Sequence, residues 1–160
     1  MRVEKDFEEF IRLLNFHKVK YLIVGAFALI YYTYPRNTGD IDFFIDLSES
    51  NAENVLIVLK EFGFEGVGIK KEDLTNPDSI IQLGFRPNRI DLITSISGVK
   101  FSEAYENKVK GKLGSEEVYF ISPDDLLKNK KSANRAKDIA DAELLMKFLN
   151  HKNNNKTIKQ

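Results

Sequence analysis

The chain is 160 residues long, with 24 basic and 24 acidic residues and a formal net charge of zero. That balance excludes a global field drawing the protein to nucleic acid or to a membrane surface. The sequence has no Cys, which excludes disulfides, thiolate metal sites and Cys nucleophiles. The length is that of one domain with a real core, expected over residues 1–149, with residues 150–160 as a disordered tail. The opening MRVEKDFEEF is charged and has no apolar signal core. The longest apolar run, Tyr21 to Tyr32, is too short to span a bilayer. A soluble cytoplasmic protein without membrane contact is the expectation.

Val3, Phe7, Phe10, Ile11 and Leu14 recur at helical spacing and predict an amphipathic helix that closes over Asn15 to Lys18. His17 falls there and reads as a polar residue at a helix end. Tyr21-Leu22-Ile23-Val24 is an apolar, β-branched strand broken at Gly25, and Ala26 to Tyr32 is a short helix. The order strand, Gly, helix presents free N–H groups and a partial positive charge, a natural phosphate seat. A polar connection, Thr33 to Gly39, leads to a second apolar strand that carries Asp40, Asp42 and Asp46.

Alternation along that strand puts Asp40 and Asp42 on one face and Ile41 and Phe43 on the other. Two like charges on a largely covered strand call for a cation between them, since an uncompensated buried charge costs about 3–5 kcal/mol. A divalent metal answers this economically, and hard Asp oxygens suit Mg²⁺. The two Cα positions lie roughly 6.6 Å apart, close enough for the side chains to converge on ions roughly 3.5–4 Å apart. Asp46 shares their parity but falls at the strand end, and reads as a loop-terminal carboxylate more than as a further ligand.

Ser50-Asn51-Ala52-Glu53 has the form of a capping box for a helix that buries Val55, Leu56, Leu59 and Phe62 and stops at Gly63. Phe64 to Lys71 is expected as a short strand and Glu72 to Asp78 as a polar loop. Ile80 to Phe85 and Arg89 to Thr94 read as strands joined by a turn at Arg86-Pro87-Asn88-Arg89. Asp91 interrupts the second of them, either as a charge that guards an edge strand or as a third carboxylate for the Asp40–Asp42 site. Phe101 to Tyr105 is a short helical piece. Lys108 to Gly114, with Lys108, Lys110 and Lys112, is a hairpin or loop and reads better as a solvated face than as a phosphate contact. Val118 to Ile121 is a strand. Ser122-Pro123-Asp124-Asp125 starts a helix, with Ser as N-cap and Pro at the first helical position. That helix runs to about Lys131, Ser132 to Asn134 breaks it, and a last helix carries Ile139, Ala142, Met146 and Leu149 on one face. His151 falls in the tail and takes no role.

Gly25-Ala26, thirteen intervening residues and then Asp40-Ile41-Asp42-Phe43 resemble the signature of the DNA polymerase β-like nucleotidyltransferase superfamily. That signature is a hydrophobic residue, Gly, then Gly or Ser, a spacer, and Asp-hydrophobic-Asp/Glu-hydrophobic. The lead-in Arg36-Asn37-Thr38 resembles the small bacterial branch that includes minimal nucleotidyltransferases and AbiEii-like toxins. One position departs: Ala26 stands where Gly or Ser is usual, so no hydroxyl is offered to a phosphate, although the backbone N–H groups remain. The segment from Lys130 to Asp141 resembles the C-terminal part of the same branch, in which a Lys on one helix recurs with an Arg and an Asp pair on the next.

The resemblance implies an α+β nucleotidyltransferase fold: a small mixed sheet, helices packed against one side of it, and a C-terminal helical pair closing the nucleotide cleft. It implies transfer of a nucleotidyl group, adenylyl first, from an NTP to a hydroxyl of an RNA, protein or small-molecule acceptor. Asp40, Asp42 and Asp91 map to metal ligands and catalytic carboxylates for two Mg²⁺ ions, with Mn²⁺ as an alternative. Gly25, Ala26, Arg36, Thr38, Lys130 and Arg135 map to nucleotide binding, Arg135 through its bidentate fork and oriented by Asp138 at i+3; Asp141 is given no role. A cognate toxin or antitoxin partner is a further implication. Two rival readings stand beside this one, an antibiotic adenylyltransferase and a catalytically silent nucleotide-binding or partner module.

Overall fold

A computed structural model describes residues 4–158. Helix α1 (Lys5–Phe16) buries Phe7, Phe10, Ile11 and Leu14, the stripe that its sequence spacing predicts; Val3 lies outside the described residues. Strand β1 (Tyr21–Val24) is buried at every position, as a central strand covered on both faces must be. Helix α2 (Gly25–Tyr32) follows without a loop. Strand β2 (Asp40–Ile45) carries the two carboxylates. Then come α3 (Glu49–Phe62), α4 (Lys71–Thr75), β3 (Ile80–Leu83), β4 (Arg89–Ile93), α5 (Phe101–Glu106), β5 (Val109–Leu113), β6 (Glu116–Phe120), α6 (Pro123–Ala133) and α7 (Ala136–Thr157).

The six strands form one mixed sheet in the order β3-β4-β2-β1-β6-β5. β1 runs antiparallel to β2 and parallel to β6, β2 runs parallel to β4, and β3 and β5 are antiparallel edges. This is the α+β nucleotidyltransferase-like architecture with a C-terminal helical pair, α6 and α7. Helices cover both faces of the sheet rather than the expected one. Phe43 and Phe44 are sequence neighbours on β2 and must point to opposite faces. Phe43 packs on Phe10 of α1 with ring centroids 5.6 Å apart, and Phe44 on Phe101 of α5 at 5.1 Å.

Local departures from the sequence expectations have identifiable causes. The N-cap of α3 is Ser48, whose hydroxyl accepts from the Asn51 N–H, and not Ser50. The buried Asn51 side chain bonds Lys20 N–H and the carbonyls of Lys20 and Asp46, so it fixes the end of β2. Phe64 to Lys70 is irregular where a strand was expected, because Gly66 and Gly68 adopt positive φ, and the supposed polar loop after it begins with α4. Lys108 to Gly114 takes the hairpin option, as β5. On α7 the buried residues are Asp138, Asp141, Ala142 and Leu145, whereas Ile139 is exposed. α7 continues to Thr157, so residues 150–157 extend a helix anchored upstream where a disordered tail was expected. Ser122 and Pro123 start α6 as the sequence predicts, and Asn134 ends it in the left-handed conformation. No helix among the described residues is long and apolar enough to cross a membrane.

Candidate active site

Register builds the site. Val24 pairs with Asp42 across β1 and β2, and Asp42 pairs with Asp91 across β2 and β4. Alternate residues on a strand share a face, and so do directly paired residues. Asp40, Asp42 and Asp91 therefore meet on one face, with one carboxylate oxygen from each within 4.8 Å of the others. Asp46, at the far end of β2, accepts from the Ser48 hydroxyl at 2.8 Å and stays outside this group.

Three carboxylates in so small a space repel, and two of them have found cations. The Arg89 fork gives Nε to Asp91 Oδ1 at 2.8 Å and Nη2 to Asp91 Oδ2 at 3.0 Å and Asp40 Oδ2 at 2.8 Å. Arg86 adds a bond to Asp40 Oδ2 at 3.1 Å. Asp42 has no arginine partner among the described residues. Burial first, and then the charges of Asp40 and Asp91, push its carboxyl up to about 7, against the opposing pull of Lys130. A hard divalent cation fits this donor set: three carboxylates converge, and a guanidinium already serves as the cation shared by two of them.

Gly25 stands against this cluster. Its φ is +65°, and a Cβ added there would overlap Asp42 Oδ2. Only glycine combines that backbone with that approach. Ala26 follows in the first turn of α2, half-buried. Thr38 donates its hydroxyl to Asp40, to the carbonyl at 3.3 Å and to Oδ1 at 3.4 Å, and so steadies the entry to β2.

The other expected nucleotide contacts form a second cluster, at the joint of the helical pair. Lys130 is buried, with Nζ 3.4 Å from Asp138 Oδ1 and 3.1 Å from Asp141 Oδ2. Arg135 gives Nε to Asp138 Oδ2 at 2.7 Å, although its own side chain is 78% exposed. Arg36 reaches from the α2–β2 connection to Asp141 Oδ1 at 3.4 Å. Burial works against the charge of Asp138, but Arg135 and Lys130 outweigh it and hold its carboxyl below the ordinary range. Asp141, which the sequence reading set aside, thus ties α7 both to α6 and to the loop that delivers Asp40.

Arg86 and Arg89 were missed as site residues by the sequence reading, which saw in Arg86 a turn residue and in Arg89 the join between that turn and a strand. A signal was present: Arg89 lies two residues before Asp91 and so shares its face.

The mixed sheet is consistent with a nucleotidyltransferase-like fold, and it carries an Asp-x-Asp pair on one strand, a third Asp on the next, and a strand-to-helix glycine beside them. The chain matches, over residues 2–156, the family described as "Nucleotidyltransferase of unknown function (DUF6036)", and it belongs to that family. No curated protein matches it.

Proposed function

We propose that this protein moves a nucleoside monophosphate, AMP first, from an NTP to the hydroxyl of an acceptor. The observation that carries the reading is the convergence of Asp40, Asp42 and Asp91 within 4.8 Å, in a chain of a nucleotidyltransferase family. Asp40 and Asp42 would hold two Mg²⁺ ions, or Mn²⁺, with Asp91 completing one of the two sets. Such ions supply charge neutralisation at the attacking and leaving oxygens.

The chain's own groups do the rest. The acceptor oxygen bonds to the α-phosphorus, the bond from that phosphorus to the bridging oxygen of the β-phosphate breaks, and pyrophosphate leaves. Asp91 takes the hydroxyl proton. N–H groups at Gly25 and Ala26 seat phosphate oxygens at the start of α2. Arg36, Thr38, Lys130 and Arg135 hold the triphosphate. Three of these are engaged with Asp138 and Asp141, so a triphosphate competes with two carboxylates for them, and the helical pair senses its arrival. A toxin–antitoxin pairing with a cognate partner accompanies this reading through the branch it resembles.

The test is incubation with each α-labelled NTP, Mg²⁺ and a panel of RNA, protein and small-molecule antibiotic acceptors. Label should move to one acceptor class, and Asp42→Ala should abolish the transfer. Transfer in no condition, or transfer indifferent to Asp42→Ala, rejects the proposal. The silent-module reading rests on Ala26 and predicts magnesium-dependent NTP binding without turnover; an antibiotic adenylyltransferase predicts a mass shift on the small acceptor alone.

A further inference from the structure

A groove of about 830 Å³ runs beside the edge strand β3 and ends at Arg86 and Arg89. Its walls come from the irregular segment after α3, through Val67, and from β3, through Ile81 and Leu83. Phe85 stands at its rim and is 90% exposed, while Val67 is 60% exposed. The two open onto one groove beside a polar site, the setting in which exposed apolar side chains serve binding. The charged residues that line the groove are the two arginines; the carboxylates they pair with, Asp40 and Asp91, lie outside its lining.

The same arginines touch the candidate catalytic carboxylates. Arg86 spends one donor on Asp40 at 3.1 Å and keeps the rest of its fork for another partner, its side chain being 65% exposed. Ile81 pairs with Leu92 and Leu83 with Ile90, whereas Gln82 pairs with Asp91. Ile81 and Leu83 therefore point to the sheet face opposite the carboxylates, and the two arginines bridge from the groove to the catalytic side. A compact molecule would occupy one side or the other. A chain that passes round the β3–β4 turn, where Arg86 and Arg89 sit, would use both.

We propose that this groove is the acceptor subsite and that it takes a single-stranded nucleic-acid 3′ end. The inference rests on the nucleotidyl-transfer reading for its meaning, but not for its test. A base stacks on Phe85, since every base has a face to offer an aromatic ring. The adjoining phosphate sits on the free donors of Arg86, which suit a phosphate bidentately. The terminal ribose then extends past Arg86 towards Asp40 and Asp91, where its hydroxyl is the attacking group. The observed lining favours a polyanion with flat apolar bases over a peptide: the only charges are positive, and the exposed aromatic and the arginine are sequence neighbours.

The test is fluorescence anisotropy of end-labelled single-stranded RNA and DNA octamers, without NTP, on the full chain and on Phe85→Ser and Arg86→Ala. Phe85 is too exposed for its replacement to unfold the protein, and a thermal melt of each variant checks this. The expected result is salt-dependent binding that weakens about tenfold or more in each variant. The RNA and DNA arms show whether the 2′-hydroxyl is read. Failure to bind either octamer, binding unchanged in both variants, or Phe85-dependent binding of an unmodified Ser/Thr peptide in place of the octamers overturns the proposal. Binding that needs Phe85, with no nucleotide ever transferred, would leave the groove assignment standing and reject the reaction. Transfer with an acceptor KM unmoved by Phe85→Ser would do the reverse.

Discussion

Asp42 is the residue on which the site's chemistry turns. It is the carboxylate of the triad without an arginine, and burial with two like charges raises its pKa from 3.8 to about 7 in the metal-free protein. The folded state then binds more protons than the unfolded state between those values, so stability falls as pH rises across that window, by an amount of order a few kcal/mol at most. Urea unfolding of the wild type and of Asp42→Asn, in chelator, should show this slope in the wild type and a flatter one in the variant. Saturating Mg²⁺ should remove the slope, because a bound cation keeps the carboxylate ionised in the folded state. Equal slopes for the two chains would show that Asp42 does not hold the proton. Gly25 makes a separate demand. Gly25→Ala meets a positive φ and the Asp42 carboxylate at once, and should lower stability by at least about 1–3 kcal/mol, read as a drop in Tm. Asp40 and Asp42 were legible through strand parity, and Asp91 stood out as a carboxylate within an apolar run, but its place beside them was implied by the resemblance alone. Arg89 was equally determined by parity, yet a charge beside a turn has an ordinary explanation, and only the register across β2 and β4 shows it bridging Asp40 and Asp91.

At the scale of elements, the α6–α7 joint buries three charged residues, Lys130, Asp138 and Asp141. Lys130 faces Asp138 and Asp141 with almost no solvent. Lys130→Met keeps the side-chain volume but removes the buried cation, leaving Asp138 with Arg135 alone and Asp141 with Arg36 alone, and should cost at most about 3–5 kcal/mol. Adding Asp138→Asn and Asp141→Asn should recover much of that loss in the same melts. A triple variant no more stable than the single one would mean that the lysine acts through packing and not through charge. This joint shows where sequence reading fails for helices. The expected apolar face of α7 placed Ile139 inward, whereas the helix buries Asp138 and Asp141 instead, since a buried lysine on the neighbouring helix fixes its rotation. The segment Phe64 to Lys70 fails for a different reason. Val67 and Ile69 alternate as in a strand, but Gly66 and Gly68 take backbone angles that no strand contains.

For the molecule as a whole, class and composition were legible and pairing was not. The two C-terminal helices and the Gly-to-Asp unit followed from local patterns, and the mixed sheet from the resemblance. The order β3-β4-β2-β1-β6-β5 joins strands far apart in the chain, and helices cover both faces because adjacent residues of β2, Phe43 and Phe44, each need a partner. That order is what brings Asp91 beside Asp42 and sets the arginine-lined groove next to the triad. The claim on which the account rests is that Asp40, Asp42 and Asp91 together bind divalent cations, at carboxylates two of which Arg89 now bonds. Titration of Mn²⁺ into the full chain, followed by electron paramagnetic resonance of the free ion, tests it directly. Saturable binding in the wild type, lost in Asp42→Ala and in Asp91→Ala and tighter in Arg89→Gln, is the predicted result. Binding that survives both aspartate substitutions, or none in the wild type with NTP present, would contradict it.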